Sequence, residues 1–371
     1  MRIELKQVLF PQPKSKIKAG DGKSEGKYRF FTSSPNQTKY IDEANYDKPS
    51  LVFGTGGNAS VHFCDEPFST STDCLVMYGR SKNELETIYN YLKNNIGILE
   101  EGFKGAGLKH ISKDYILAIE IDLPSEAIQL EFLQKTRVID DLIAAKQTQL
   151  VLSEDLVKSR FIEMFGDPTT NEKGWTVSAL GEYMTLLTDF SANGSYELLD
   201  SNVVMYDEPN YAVMVRTTDL EAGDLTNGVK YIDQAAYELL SKSKLFGGEL
   251  IMNKIGSAGK IYIMPQIDKP ASLGRNAFMF RFDDRINMTY LYALLSSDYG
   301  TNEIQQYVRG AVTKTITKES TRSIRVFVPP IELQTQFATF VEQIDKSKFE
   351  IQQSLEKLEI LKKSLMQQYF G

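Results

Sequence analysis

The chain has 371 residues, enough for two or three domains, and its 42% hydrophobic and 25% charged content is ordinary for a soluble globular protein. No apolar run reaches membrane-span length, the opening MRIELKQVLF lacks the charged-then-apolar grammar of a secretory signal, and the two cysteines, Cys64 and Cys74, are too few for a disulfide framework. A reducing cytoplasm is the simplest compartment. The net charge of −7 counts mildly against phosphate binding, but local fields are independent of it: Arg2, Lys6, Lys14, Lys16, Lys18, Lys23, Lys27, Arg29, Lys39 and Lys48 crowd the first part of the chain.

In chain order, short β-type runs come first, at Ser50–Phe53 and Cys74–Tyr78, punctuated by the turn GTGGN. Tyr115–Leu123 reads as the last strand of this first globule, residues 1–123. Pro124-Ser125 suits a helix start, with Ser125 as N-cap. The helix that follows carries Phe132, Ile139, Leu142, Ile143, Leu150, Leu156, Val157 and Phe161, and Gly166-Asp167-Pro168 stops it, so residues 124–173 form a helix and linker. A second globule, 174–328, holds the runs Glu249–Met252, Lys260–Met264 and Ala277–Phe282 around the turn GSAGK, and closes on Ser323–Val328. Pro329-Pro330 then opens a second helix over 329–371. Its Phe337, Ile344, Ile351, Leu358 and Leu365 fall at heptad spacing, with Phe340, Val341, Leu355 and Leu361 in the second seam.

The chain is written twice. Gly105–Gly166 and Gly310–Gly371 align without a gap, with roughly 19 of about 62 positions identical, the signature of a repeat. Identities include Lys109/Lys314, Ile111/Ile316, Lys113/Lys318, Pro124/Pro329, Gln129/Gln334, Phe132/Phe337, Ile139/Ile344, Asp140/Asp345, Phe165/Phe370 and Gly166/Gly371. Upstream, at a different offset, KYIDEANY (39–46) matches KYIDQAAY (230–237). Between these anchors the copies diverge, as loop insertions on a kept scaffold would make them.

A 40-residue helix is about 60 Å long, and one globule cannot cover so long an apolar stripe. The partner the repeat offers is the other copy, paired antiparallel; the alternative is that each helix packs on its own globule. Two related but different readers on a rigid spacer suit an asymmetric two-part target on a duplex, which repeats every ~34 Å.

Here the residues carry a resemblance. The order variable globule, long helix, variable globule, long helix resembles that of the Type I restriction–modification specificity subunits. The segments LVFGTGGNASVHFCDEPFSTSTDCLVM and ELIMNKIGSAGKIYIM are similar to the family's strand–Gly-turn–strand element. PSEAIQLEFLQKTRVIDDLIAAKQ and PPIELQTQFATFVEQID resemble its proline-led entry into the conserved helices, and WTVSALGEYM the opening of a target-recognition domain. The resemblance implies an α+β fold: two strand-rich target-recognition domains separated by a pair of long antiparallel coiled-coil helices, with an internal pseudo-twofold repeat. It implies a DNA-binding, non-catalytic subunit that joins two modification (methyltransferase) subunits through its helices, and ATP-dependent nuclease subunits beyond those. No cofactor is expected.

Phosphate contacts would then set register and base-edge contacts would specify sequence. The candidate DNA contacts in the first globule are Ser33, Ser34, Thr55, Asn58, Lys104 and Lys109; in the second they are Arg216, Thr217, Lys254, Ser257, Lys260, Arg275, Arg309 and Lys314. Asn pairs adenine bidentately, Lys serves phosphate or guanine, and several of these residues sit beside glycines that let the backbone approach closely. The candidate coiled-coil or partner interface is Phe132, Ile139, Leu150, Phe337, Ile344, Ile351, Leu358 and Leu365.

Other chemistries have weak footholds. Gly54–Ala59 spells a dinucleotide-type G-x-G-x-x-A, but Ser60–Phe63 after it reads as a strand where that motif needs a helix. His62, Cys64 and Cys74 lack paired metal-ligand spacing and read as a surface histidine and two partly buried thiols. There is no phosphate loop and no Asn-Pro-Pro-Tyr or Asp-Pro-Pro-Tyr segment, and neither His62 nor His110 has a triad setting. The competing functions are a coiled-coil scaffold whose globules bind protein, and an enzyme with unfamiliar sites.

Overall fold

A computed structural model describes residues 2–105, 107 and 109–370; Met1, Ala106, Leu108 and Gly371 lie outside the described residues, the last of these closing the second repeat. Two helices of 40 residues, Glu126–Phe165 and Ile331–Phe370, run through a chain that is otherwise short strands and short helices. The chain divides into two units, one of residues 1–149 with 350–371 and one of residues 150–349.

In the first unit β1 (Arg2–Glu4) pairs antiparallel with β9 (Glu120–Asp122), so the globule's first and last strands close on each other. A four-stranded sheet in the order β2-β8-β5-β6 is built from β2 (Leu9–Pro11), β5 (Ser50–Gly54), β6 (Ser60–Cys64) and β8 (Cys74–Gly79). β3 (Tyr28–Phe31), β4 (Lys39–Ile41) and β7 (Phe68–Thr70) form a second sheet, in which β3 and β7 run parallel. Helix Lys82–Asn94 covers the first sheet; Ser81 caps it by accepting the Glu84 N–H, and Leu85, Ile88 and Leu92 form its buried stripe.

The second unit repeats this plan. β10 (Val177–Ala179) pairs with β19 (Arg325–Phe327). The order β11-β18-β15-β16 joins β11 (Met184–Asp189), β15 (Leu250–Asn253), β16 (Ile261–Ile263) and β18 (Ala277–Phe282). β12 (Ala212–Val215), β13 (Lys230–Ile232), β14 (Lys244–Leu245) and β17 (Ala271–Leu273) form the other sheet, with β12 and β17 parallel. The two KYID segments are thus β4 and β13, each antiparallel to the equivalent strand. The openings correspond as well: the Leu5 N–H donates to the Ile119 carbonyl at 2.9 Å, the Leu180 N–H to the Ile324 carbonyl at 2.7 Å, and both leucines are fully buried.

Two expected strands are shorter than the sequence indicates. Within Tyr115–Leu123 the residues up to Ala118 belong to helix Lys113–Ala118, capped by the Ser112 hydroxyl, and only Glu120–Asp122 is strand. Ser323 likewise ends helix Lys318–Ser323, which Thr317 caps. In each copy a hydroxyl accepting an N–H at the helix start outweighs the β-branched residues.

Both long helices start behind their prolines, at the positions after Ser125 and Pro330. A buried glutamine repeats at each junction: Gln129 Nε2 donates to the Pro124 carbonyl at 2.8 Å, and Gln334 Nε2 to the Pro329 carbonyl at 2.7 Å. Gly166 ends the first helix with φ +76 and an N–H bond to the Ile162 carbonyl. The helices pair antiparallel in each unit. In the first, Phe132, Leu133 and Ile139 pack with Leu365 and Met366, flanked by Ile143 and Leu358. In the second, Phe161 and Phe165 pack on Phe337 and Tyr290, with ring centroids 4.7–5.7 Å apart.

Of the expected seam, Phe132, Ile139, Phe337, Ile351 and Leu365 are buried, and Leu150, Ile344 and Leu358 are half-buried. Leu142, Leu156 and Leu361 face solvent instead, at 45%, 49% and 51% exposure. The inward positions of the first helix alternate by four and three residues from Phe132 through Thr136, Ile139, Ile143, Lys146 and Leu150 to Ser153 and Val157. Polar residues hold several of those places, so the apolar pattern alone misleads.

Leu365→Ala is expected to destabilise the chain by about 2–5 kcal/mol, whereas Leu361→Ala on the same helix should stay within about 0.5 kcal/mol. Urea unfolding followed by circular dichroism checks both; equal losses would put Leu361 back in the seam.

Candidate nucleic-acid interface

Each globule joins its Gly turn to a later loop as one platform, and the stitching is main-chain. In the first, the Gly turn after β5 and the segment 104–110 are joined by a bridge between Gly56 and His110, and Lys104 and His110 exchange both backbone bonds at 3.0 Å. The Ile111 N–H donates to the Thr55 carbonyl, and the Thr55 N–H to the Asp73 carbonyl. In the second, Ile255 bridges Thr315, and Arg309 and Thr315 exchange bonds of 2.9 and 2.7 Å. The Ile316 N–H donates to the Lys254 carbonyl, and the Lys254 N–H to the Asn276 carbonyl. Lys104 therefore matches Arg309, His110 matches Thr315, and Thr55 matches Lys254.

Glycines permit the turns. Gly57 and Gly256 have φ of +79 and +81, and Gly310 has φ +105, where an added Cβ would lie 2.1 Å from the Thr313 carbonyl oxygen.

In the first globule a third loop, after β3, joins the platform through side chains. Ser33 donates from its hydroxyl to the Asp73 carbonyl at 2.5 Å and accepts the Gly56 N–H at 3.4 Å; the Thr55 hydroxyl donates to the same carbonyl. The Ser34 carbonyl accepts from His62 Nε2 at 2.9 Å. Ser33 and Thr55 thus spend their hydroxyls on the platform, while Asn58, Lys104 and Lys109 present exposed side chains. His62 is half-buried beside Phe31, not a surface residue, and burial lowers its pKa. Cys64 and Cys74 are fully buried; burial pushes the Cys74 thiol up to about 11. Among the described residues no group of three His, Cys, Asp or Glu is placed to hold a metal ion, and no helix is long and apolar enough to cross a membrane.

The second globule's cations are mostly engaged. Lys254 Nζ lies 2.8 Å from Asp189 Oδ2, and Lys318 Nζ 2.8 Å from Asp189 Oδ1. The buried Asp189 carboxylate locks the Gly turn to helix Lys318–Ser323, and Lys254 is a structural lysine. Burial alone would raise the Asp189 pKa; the hydrogen bonds and charges of the two lysines outweigh it and hold the carboxyl below its ordinary value. Arg216 forks onto Asp219, at 2.5 Å for the closest pair, and donates to the Gly228 carbonyl. Lys260 pairs with Glu221, and Arg275 with Asp200 at 3.1 Å. The Arg275 guanidinium also lies 5.1 Å from the Phe190 ring centroid and 5.8 Å from that of the exposed Tyr196.

Two cavities collect these residues. One, of about 390 Å³, brings Ser257, Lys260 and Lys314 together with Thr301 and Gln305. The other, of about 350 Å³, brings Arg216, Thr217 and Arg275 together beside Phe190 and Asn276. Arg309 caps carbonyls of its own loop, at Gln306 and Val308. The sequence reading missed Asp189, which has no counterpart in the repeat. Lys318 was visible as the identity with Lys113.

The family model for the Type I restriction modification DNA specificity domain matches residues 2–152 and again 172–362. The chain belongs to this family. A curated relative, the Type I restriction enzyme MjaVIII specificity subunit of Methanocaldococcus jannaschii, is 23% identical over 329 residues, covering 85% of this chain and 76% of that protein. The Type I restriction–modification S subunit from M. genitalium superposes over 100% of this chain and 96% of its own, with TM-score 0.62 and 15% identity. A chain from a structure on complex assembly and conformational transition of the type I R-M system gives TM-score 0.57 at 13% identity, over 100% of this chain and 97% of that one. Those two likenesses show the specificity-subunit fold. The doubled match of the family model coincides with the doubled platform.

Asp189→Asn leaves the buried Lys254 ammonium without its counter-charge and should cost on the order of 3 kcal/mol at neutral pH. Because the folded carboxyl titrates below the unfolded one, the wild-type advantage is full above about pH 3.9 and fades as pH falls below it. Unfolding of both proteins across pH 2–7, in steps of about half a unit, checks the sign; a gap that widens in acid would be inconsistent with the clamp.

Proposed function

We propose that this specificity subunit reads an asymmetric two-part DNA target, one half with each platform, and directs partner methyltransferase and ATP-dependent endonuclease subunits to it. The observation that carries the reading is the same main-chain platform built twice, presenting different side chains: Asn58, Lys104 and Lys109 in one copy, Ser257, Arg309 and Lys314 in the other. The chain is a recognition subunit, not a catalyst; the chemistry belongs to its partners. The recognition modules comprise residues 1–123 and 174–328, the helical modules 124–173 and 329–371, and the complex works in the cytoplasm.

The contacts divide by how free the side chains are. Asn58, Lys104, Lys109, Ser257 and Lys314 meet DNA directly, and the exposed Arg309 does so by releasing the Gln306 and Val308 carbonyls. Ser33, Ser34, Thr55 and Thr217 line the approach. Lys260 and Arg275 reach phosphate by exchanging Glu221 and Asp200 for it, at little cost because those pairs are partly solvated, whereas Arg216 keeps its fork on the buried Asp219 and lines the approach. Lys254 positions the turn. Two modification subunits dock on outward apolar residues of the long helices, Val138 and Leu142 in the first unit and Val151, Leu152 and Leu156 in the second.

A gel shift with the methyltransferase partner present is expected to retain only a two-part site. Exchanging residues 174–328 for another such module should alter one half-site; alteration of both would end the modular reading. Sizing of a co-expressed mixture should give two modification subunits per chain, and a 1:1 complex would contradict the docking scheme.

A further inference from the structure

We propose that the second module reads the C5-methyl group of a thymine through an apolar pair, Ile255 and Val312, that the first module lacks. The inference rests on the DNA-reading function above and names part of the code of one half-site.

Val312 stands at the tip of the loop between Arg309 and Thr315 and is 98% exposed; Ile255, on the Gly turn bridged to Thr315, is 42% exposed. The Arg309–Thr315 exchange and the Ile255–Thr315 bridge hold the bases of both loops on one platform, and the Gly256 N–H donates to the Lys314 carbonyl at 2.9 Å. Neither side chain contributes to a buried core cluster, so packing does not explain an isoleucine and a valine here. Their free neighbours are cationic: Arg309 and Lys314 flank Val312 in the chain, both exposed. A basic rim draws a polyanion rather than an apolar partner. On a duplex, the apolar group displayed on a base edge is the thymine methyl, in the major groove.

The repeat supplies an internal control. At the equivalent places the first module has Gly56, bridged to His110, and Gly107, which present no side chain. At these two positions one platform offers branched aliphatic groups and the other bare backbone. The loop bases that flank these positions, Lys104 and His110 in one copy and Arg309 and Thr315 in the other, exchange the same main-chain bonds, which makes the difference one of readout and not of scaffold.

The experiment uses the chain assembled with its methyltransferase partner and a duplex carrying the two-part target. Each thymine is replaced in turn by deoxyuridine, which removes only the methyl. For the wild type, at least one replacement in the half-site assigned to residues 174–328 should weaken binding about fourfold, the effect of burying one methyl group. In Val312→Ala or Ile255→Gly the same replacement should cost nothing, while thermal unfolding of these surface variants stays unchanged. Equal binding of thymine and uracil at every position by the wild type overturns the inference and leaves the two-part reading intact. So does a half-site without A·T pairs. A Val312→Ala complex weakened equally on both duplexes overturns it in favour of a wedge between base steps. A wild-type complex that selects no two-part site overturns the DNA-reading function together with it.

Discussion

The long helices set the terms for everything else. Each carries an inward seam spaced by alternating three and four residues from one end to the other, and an apolar stripe of that length cannot be left in water. Each is partnered in both units: Phe132 and Ile139 against Leu365 and Met366 in one, Phe161 and Phe165 against Phe337 in the other. The aromatic clusters sit near the helix ends, while the middle positions include Lys146 and Ser153 on one helix and Lys348 on the other. Polar seam positions weaken a coiled coil but fix its register. Proline at the entry of each helix, and Gly166 at the exit of the first, then define where helix and globule part.

The platforms follow a different logic. Their geometry is carried by N–H and C=O groups of Thr55, Lys104 and His110 in one copy and of Lys254, Arg309 and Thr315 in the other. Side chains that look like ligands in the sequence are often structural. Thr55 and Ser33 donate to one carbonyl, and Lys254 neutralises Asp189. The net charge of −7 is compatible with DNA reading because the acids stand beside the cations and hold them in place: Asp219 with Arg216, Glu221 with Lys260, Asp200 with Arg275.

The duplication, the two long helices and the Gly turns were legible because they depend on local rules: gapless identity, heptad spacing, proline and glycine positions. The equivalence of Arg2–Glu4 with Val177–Ala179 was not, since strand closure onto residues more than a hundred positions away leaves no trace in a three-residue segment. Leu142, Leu156 and Leu361 were placed inward because apolar residues on a helix usually are; which face turns inward depends on the partner helix. The candidate site was legible by residue type and by repeat position, as with Lys109 and Lys314. Which cations are already paired was not, because Asp189 is 65 residues from Lys254 and 129 from Lys318.

The main-chain stitching of the platforms has an evolutionary corollary. A loop held by its own amides imposes few demands on the chemistry of its side chains, apart from glycine where φ is positive. Mutations at Asn58, Ser257 or Val312 therefore leave the folding free energy nearly untouched while changing what the surface presents. Selection on readout and selection on stability act on separate residues. Such a scaffold can drift through many surface chemistries, as a display library does, without passing through unfolded intermediates.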